Sequence, residues 1–377
     1  MTALFIYSII IAFIWVVLGA YLLWGMSQIK QLKDQPIVAI QPSVAIIIPV
    51  RNEEDDLEKA LQSVCNIRYD NHRIVVINDR STDRTAEILA QFNHPKLSVT
   101  TIDTLPSGWL GKNNALYQGY LNSTEEWLLF TDADIEYHPD ALSRAFGYVE
   151  KRNLDHLTIF ADVQSRSTLL KSVLSTFSIM LLSLTRPWDA IKPNRSGAIG
   201  IGAFNLVKRT AYEKAGTHTK IKLRPDDDLM LGRNIKAAGL RQDALVGQQY
   251  LCLEWYRSLN QFVNGLLKNS FPVTNYNVFR VVADCMNTLA SFVLPLPVMF
   301  IFGDTAIRLM ACAIALAQLI FMAASKTSKW WHMLMMPFAG CLMIYIMVRG
   351  AYVTLKQGGI YWRDTFYSLA ELKGKSK

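Results

Sequence analysis

The stretch LLFTDADIEYHPD, residues 128–140, runs out of an apolar segment straight into two acids one residue apart, Asp132 and Asp134. An apolar run of that length reads as a buried strand, so the acids fall where a sheet ends. The same plan recurs upstream. VAIII (44–48) is a continuous apolar run ending at Pro49, suited to a parallel strand buried on both faces. NEEDDLEKALQSV follows, with acids at a helix's positive end and Leu57, Leu61 and Val64 on one side. RIVVIND (73–79) repeats the strand and STDRTAEILAQF the helix, and LSVTTI, a helix from about Lys112 and WLLFTDAD continue the alternation. Strands alternating with helices predict an α/β domain with a mostly parallel sheet.

In such sheets ligands bind beyond the carboxyl ends of the strands, and the acids gather there. Glu53 and Glu54 follow the first strand, Asp79 ends the second, and Asp132 and Asp134 end the fourth. No GxGxxG or GxxxxGK[ST] follows any strand, and GIGAFN (200–205) lacks the last glycine, so a glycine-rich phosphate cradle is excluded. Residues i and i+2 of a strand share a face, which predicts that Asp132 and Asp134 converge while Ala133 points away. Two such carboxylates repel unless a cation lies near, and hard oxygen ligands suit Mg²⁺ or Mn²⁺. The competing reading is a turn with capping acids ahead of HPDAL. Asp79 is placed to accept from a base N–H, and Lys112 in GWLGKNNAL to face a phosphate; a strand-ending turn and a solvated helix start are their plainer readings. A second acidic cluster, Asp226, Asp227 and Asp228, precedes a helix. Capping accounts for one acid but not three, since like charges so close raise at least one pKa, and a carboxylate of raised basicity beside a cleft is a candidate general base.

At the ends the composition changes. The 377-residue chain is 51% hydrophobic yet carries a formal charge of +8. Residues 3–24 hold no charged side chain and are long enough to cross a bilayer of ~30 Å as an uncleaved anchor. Lys30 and Lys33 follow it, which by the positive-inside bias puts the rest of the chain in the cytoplasm. Further apolar stretches lie at 281–302, 306–324 and 331–348. If all three span, the tail ends outside although it carries Arg349, Lys356, Arg363, Lys373, Lys375 and Lys377 against Asp364 and Glu371. The stretch 281–302, with Asp284, Pro295 and Pro297, is the one expected to be re-entrant or packed against protein. Cys65, Cys252, Cys285, Cys312 and Cys341 show no paired or metal-type spacing, so no disulfide and no zinc are expected. Two segments point to the lipid surface. VLSTFSIMLLSL (173–184) is apolar but too short to span, and reads either as ordinary core or as an acceptor-side surface that dips toward lipid. Residues 255–268 place Trp255, Leu259, Phe262, Val263, Leu266 and Leu267 opposite Asn260, Asn264 and Lys268, as a helix in the membrane interface or one packed on the soluble core. The expected division is an anchor over 1–30, a catalytic domain over 42–250, an amphipathic interfacial region over 251–280, membrane segments over 281–355 and a basic tail over 356–377.

The pieces IIIPVRNEE (46–54), VVINDRSTDRT (75–85), WLGKNNAL (109–116), FTDADI (130–135), IGAFNLVKRTAYEKAG (201–216) and DDDLMLGRNIKAAG (226–239) resemble, in this order and spacing, glycosyltransferase family 2. The single N-terminal anchor, the late membrane segments and the tail GGIYWRDTFY (358–367) are similar to its membrane-anchored subgroup, that of ceramide glucosyltransferases and hopanoid- or carotenoid-associated bacterial enzymes. The resemblance implies a Rossmann-like GT-A fold and inverting transfer from a UDP-sugar with Mg²⁺ or Mn²⁺. It implies Pro49, Arg51, Asn52 and Glu53 lining the nucleotide pocket, Asp79 on the uracil ring, Lys112 near the diphosphate, Asp132 at the ribose or donor sugar and beside the metal, and Asp134 on the metal. Aligning LGR (231–233) with the family's ED-x-x-L-x-R puts the catalytic base at Asp228 and its support at Asp227, with Asp226 the alternative register.

The chain departs from the pattern after the base, where LEWYRSLNQFVNGLLKN (253–269) lacks the Q/R-x-x-R-W spacing. A diphosphate or acceptor role for Arg257 is carried over against that departure, and processive polymer synthesis loses support. The leading expectation is a multi-pass enzyme of the cell membrane that glycosylates a lipid hydroxyl at the cytoplasmic face. Polyprenyl phosphate or a polysaccharide is the alternative acceptor, and a nucleotide-sensing scaffold or transporter the alternative class. Nucleic acid is excluded as a partner, because the basic residues cluster near membrane segments and no basic stripe with stacking aromatics occurs in the soluble domain.

Overall fold

The computed structural model describes residues 2–325, 328–362 and 365–374; the tail residues Arg363, Asp364, Lys375 and Lys377 lie outside the described residues. The chain divides into two compact units, one of residues 29–164 and 186–255, the other of 1–28, 165–185 and 256–377.

The first unit is built on an eight-stranded sheet. In chain order the strands are β1 (Lys30–Gln31), β2 (Val44–Val50), β3 (His72–Asp79), β4 (Leu97–Ile102), β5 (Trp127–Phe130), β6 (Glu136–Tyr137), β7 (His156–Phe160), β8 (Asp162–Val163), β9 (Asn205–Lys208), β10 (Gln242–Val246) and β11 (Leu251–Leu253). The large sheet runs β1-β10-β7-β9-β5-β2-β3-β4, and β6, β11 and β8 form a small second sheet. All neighbours in the large sheet are parallel except β9, which is antiparallel to β5 and β7. The α/β expectation therefore holds, with one reversed strand in the middle that the short segment NLVK did not announce.

Burial on both faces follows from residue alternation. Val44, Ile46, Ile48 and Val50 of β2 enter one apolar cluster, while Ala45 and Ile47 enter the other. Ile74 and Val76 of β3 divide from Val75 and Ile77 in the same way. A proline inside a central strand costs a ladder hydrogen bond. Pro49 avoids this, because the side of β2 on which Ile47 O accepts from Thr131 N (3.1 Å) is the side where β5 has already ended at Phe130.

That early end alters the reasoning about the paired acids. Asp132 and Asp134 lie in a turn beyond the strand, and Asp132 N bonds Gly202 O (3.0 Å) instead of continuing the ladder. Their placement is therefore set by the turn and by the residue 200–204 segment, not by strand pleat.

The second unit is mainly helical, with a two-stranded antiparallel sheet of Gly359–Trp362 and Thr365–Ser368. Thr2–Gln28, Thr168–Asp189, Thr305–Ala324 and Trp330–Gln357 are each long and apolar enough to cross a membrane, and Val278–Val293 with Pro295–Phe302 forms a further pair bent by 52°. The helix expected over 173–184 starts earlier, at Thr168, which gives it the length that the sequence reading denied. The bend has a defined cause. Leu294 N bonds Leu289 O in a π-type turn, and Pro295 has no N–H for Ser291 O, so the carbonyls of Ala290 and Ser291 lose their helical donors. Tyr7 OH donates to Ala290 O (2.7 Å) and Trp15 Nε1 to Ser291 O (2.8 Å), satisfying both from the N-terminal helix. The amphipathic segment forms a helix over Leu259–Val273, capped by Ser258 Oγ. Its Phe262, Val263 and Leu266 are buried with Leu170, Val173, Ala339, Met343 and Ile346, so its apolar face is covered by other apolar helices. Cys65, Cys252, Cys285, Cys312 and Cys341 are all free thiols.

Candidate active site

The polar residues singled out in the sequence collect at the carboxyl ends of the parallel strands, in two groups. The first lies beyond β2 and β3. Asn52 adopts a left-handed backbone (φ +53°), which asparagine tolerates better than most residues. Its Oδ1 accepts from Thr82 N (2.8 Å) and its own N donates to Ser81 Oγ (3.1 Å). Glu53 N donates to Thr85 Oγ1 (2.9 Å), so Asn52 and Glu53 are tied to the loop that follows β3. Asp79 is almost fully enclosed and receives both Arg80 Nε (2.7 Å) and Arg80 Nη2 (3.0 Å), with Arg51 Nη1 at 3.7 Å. Gly111 is required beside it, since a Cβ there would lie 2.3 Å from Asp79 Oδ2.

The second group lines a cleft with Lys112, Asp132, Asp227 and Asp228 on its walls. Lys112 stands in the first turn of the Gly111–Leu121 helix. Its Nζ is 2.7 Å from Asp132 Oδ1 and 3.8 Å from Asp227 Oδ1. Burial alone would lower the Lys112 pKa, but the carboxylates of Asp132, Asp227 and Asp228 outweigh it and hold the ammonium protonated well above its ordinary range. Asp227 is pushed up to about 7, first by burial and then by its acidic neighbours against the pull of Lys112. Asp228 is raised as well, mainly by burial, while hydrogen bonds from Leu229 N (2.7 Å, to Oδ1) and Gly202 N (2.8 Å, to Oδ2) work in the opposite direction. Asp226 does not share this environment. Arg224 binds it through Nε (2.8 Å) and Nη2 (2.7 Å). Three consecutive acids thus separate into one neutralised by arginine and two that face the cleft.

Residues given no role of their own in the sequence reading hold this arrangement. Gly202 sits between two of the acids: its N donates to Asp228, its O accepts from Asp132 N, and a Cβ would lie 2.4 Å from Asp132 Oδ2. Gly200 packs against the Asp228 carbonyl, where a Cβ would be 1.9 Å away. Asn113 Nδ2 reaches Ile221 O (2.8 Å), Lys222 O (3.1 Å) and Arg224 O (2.9 Å), fastening the segment before Asp226 to the helix that carries Lys112. Gln242 bridges Ile199 N (3.0 Å) and Gly232 O (2.6 Å), tying the glycine segment to the Asp227–Ala237 helix. His218 is buried on the cleft wall against Tyr212 OH (2.7 Å), and burial lowers its pKa to about 3, so it is neutral. A polar asparagine inside a helix was a usable signal for Asn113; Gln242 gave none.

Asp134 tests the fit to a cation. Its Oδ1 is buried without a hydrogen-bond partner. Burial, then Asp132 and Glu53, raises its pKa to about 7. A buried carboxylate oxygen with nothing to accept from, beside a second carboxylate, fits a hard divalent cation. Among the described residues no three His, Cys, Asp or Glu side chains gather into a metal group. Arg257 belongs to the helical unit, where its N donates to Gln261 Oε1 (2.9 Å).

The largely parallel sheet with acids at its carboxyl ends agrees with the GT-A fold that the sequence resemblance implies. Residues 45–216 match the model described as glycosyl transferase family 2. Over 222 residues the chain is 24% identical to the 4,4'-diaponeurosporenoate glycosyltransferase of Staphylococcus haemolyticus, covering 57% of each protein. Over 228 residues it is 22% identical to the enzyme of that name from Staphylococcus aureus, covering 60% of each. The chain thus spans about three fifths of the length of these curated relatives. A solved mannosyltransferase from Pyrobaculum calidifontis, in complex with GDP-Man and Mn²⁺, superimposes with a TM-score of 0.57 at 17% identity, over 93% of this chain and 98% of the other, and shares its fold.

Proposed function

We propose that the protein is a membrane-bound inverting glycosyltransferase that moves a sugar from a UDP-sugar to the hydroxyl of a lipid acceptor at the cytoplasmic face. The observation that carries this reading is the meeting of Lys112, Asp132, Asp227 and Asp228, drawn from three distant segments, around one cleft beyond the strands. The named activity of the staphylococcal relatives supports a glycosyl transfer, and the archaeal structure holds a nucleotide sugar, though one with guanine, GDP-Man, in place of uracil.

Asp228 is the base. Two backbone N–H groups fix its carboxylate, and its burial raises its basicity above that of an ordinary aspartate. It takes the proton of the acceptor hydroxyl as that oxygen bonds the anomeric carbon. The bond from that carbon to the diphosphate oxygen breaks on the opposite face, and UDP leaves with the electron pair. One displacement inverts the centre. Asp227 acts through Lys112, keeping the ammonium charged and directed at Asp132. Pro49, Arg51, Asn52, Glu53 and Asp79 form the nucleotide end, where the fixed loops after β2 and β3 orient the base and ribose. Asp134, with Asp132 beside it, would hold Mg²⁺ or Mn²⁺, which when bound supplies positive charge opposite the leaving diphosphate. The apolar helices keep the domain at the bilayer, where a lipid-soluble alcohol is concentrated.

The test uses the purified full chain in lipid nanodiscs containing extracted bacterial lipids, supplied with radiolabelled UDP-sugars and Mn²⁺. Label is expected in the lipid fraction, and Asp228→Asn is expected to remove it while UDP binding persists. Undiminished transfer by Asp228→Asn would eliminate the assigned base.

A further inference from the structure

Thr168–Asp189 has the length and composition of a membrane span, 22 residues with a mean hydropathy of 1.5. Its connections forbid a crossing. Just before it, β8 pairs with β11 and Gln164 N donates to Leu253 O (2.8 Å), so the chain is fixed to the α/β unit four residues ahead of Thr168. Just after it, Lys236 Nζ donates to Ala190 O (2.5 Å), and β9, farther on, lies inside the same large sheet. A single crossing would put the two ends of the helix on opposite sides of a hydrocarbon layer of about 30 Å. The free segments at its ends reach only about 14–18 Å fully extended. One folded sheet cannot stand on both sides of a bilayer.

The helix nevertheless leaves large apolar side chains uncovered. Leu169 and Leu184 are exposed, and no acidic residue occurs between Asp162 and Asp189. Leu170 and Val173 are buried with Ala339, Met343 and Ile346 of the Met336–Gln357 helix, which belongs to a segment long and apolar enough to span. Arg166, Lys171 and Arg186 are exposed and flank the apolar stretch.

We infer that Thr168–Thr185 is an in-plane helix seated in the headgroup and acyl boundary of one leaflet, facing an anionic lipid surface. Both of its ends emerge on the side that holds the α/β unit, and the leaflet covers its exposed leucines while headgroups meet its three basic residues. This holds whether or not the protein transfers a sugar.

Cysteine accessibility in reconstituted vesicles containing phosphatidylglycerol tests it, with the unsubstituted protein as background for Cys312 and Cys341. Ser167→Cys and Arg186→Cys are expected to react with an impermeant maleimide from the same side as Glu58→Cys on the α/β unit. Ser178→Cys, at an exposed mid-helix position, is expected to react about tenfold more slowly and, when spin-labelled, to contact oxygen in preference to water-soluble nickel. Labelling of the two ends from opposite sides would overturn the inference, as would a Ser178→Cys that reacts like Glu58→Cys. Equal burial of Ser178→Cys in vesicles of neutral lipid alone would overturn its anionic part.

Discussion

The α/β unit treats its buried carboxylates in two opposite ways. Beyond β3, one carboxylate, Asp79, is matched by two guanidinium groups, Arg80 in direct contact and Arg51 slightly farther away. Beyond β5, among the described residues, Asp132, Asp227 and Asp228 share the single ammonium of Lys112, and Asp134 stands beside Asp132 with an oxygen that accepts from nothing. The first site has more than enough positive charge from the chain itself. The second has several buried carboxylates around one ammonium, and its pKa values are raised first by burial and then by the neighbouring carboxylates. A site of that kind is suited to exchange protons and to receive a cation with its substrate, whereas the arginine-matched site is suited to hold a fixed shape.

The sharpest way to break this comparison is to remove the exchangeable proton site. Asp228→Asn is expected to lower kcat by about 10²–10⁴, with UDP affinity changed little, as measured by single-turnover transfer and by nucleotide titration. The acid limb of the wild-type kcat profile should also lie above the ordinary carboxylate range, because a base with a raised pKa is already protonated at a higher pH.

Removing the shared cation comes next. Lys112→Met strands three carboxylates and should cost about 2 kcal/mol of stability in chemical denaturation. This is less than the ~3–5 kcal/mol of a fully buried pair, because Asp132 keeps a solvent face. Lowering the pH should restore part of the loss by protonating the acids.

The wild type should also carry a pH-dependent strain of defined sign. Asp134 and Asp227 bind protons more tightly folded than unfolded, with folded values near 7 against ordinary carboxylate values near 4. Their stabilising contribution is therefore complete below about pH 4 and is lost as the pH rises toward 7. Mn²⁺ with UDP should raise Tm more at pH 8 than at pH 5, and Asp134→Ala should remove most of that difference. A pH-independent Tm gain would show that the cation does not compensate these carboxylates.

The smallest effect is expected at the arginine-paired member of the acidic triplet. Asp226→Asn keeps hydrogen bonding to Arg224 and should leave kcat within about threefold of wild type, separating it from its neighbour two residues on.

Much of this layout was legible beforehand because it rests on local pattern. Continuous apolar runs gave β2, β3 and β4 nearly to the residue, and the acid at the end of β3 is where the alternation put it. The arrangement of the cleft depended on contacts invisible along the chain. The strand preceding Asp132 stops at Phe130 because Asp132 N turns to Gly202, a partner seventy residues away. That same glycine holds Asp228, so the relation between the two acids is set by a segment the motif search had dismissed as an incomplete phosphate loop. Asp226 and Asp228 likewise could not be told apart by composition, and only the reach of Arg224 separates them. The reversed strand β9 is four residues long, too short for periodicity to assign a direction.

The N-terminal helix is more than a tether. Its Tyr7 hydroxyl and Trp15 indole occupy the carbonyls left open where the later helix pair breaks at Pro295. Shortening the chain to begin at the sheet would uncover two backbone acceptors in a segment packed among apolar helices. Trimming the front of this protein should thus injure a region nearly three hundred residues downstream, and truncation is a poor route to a simplified soluble version.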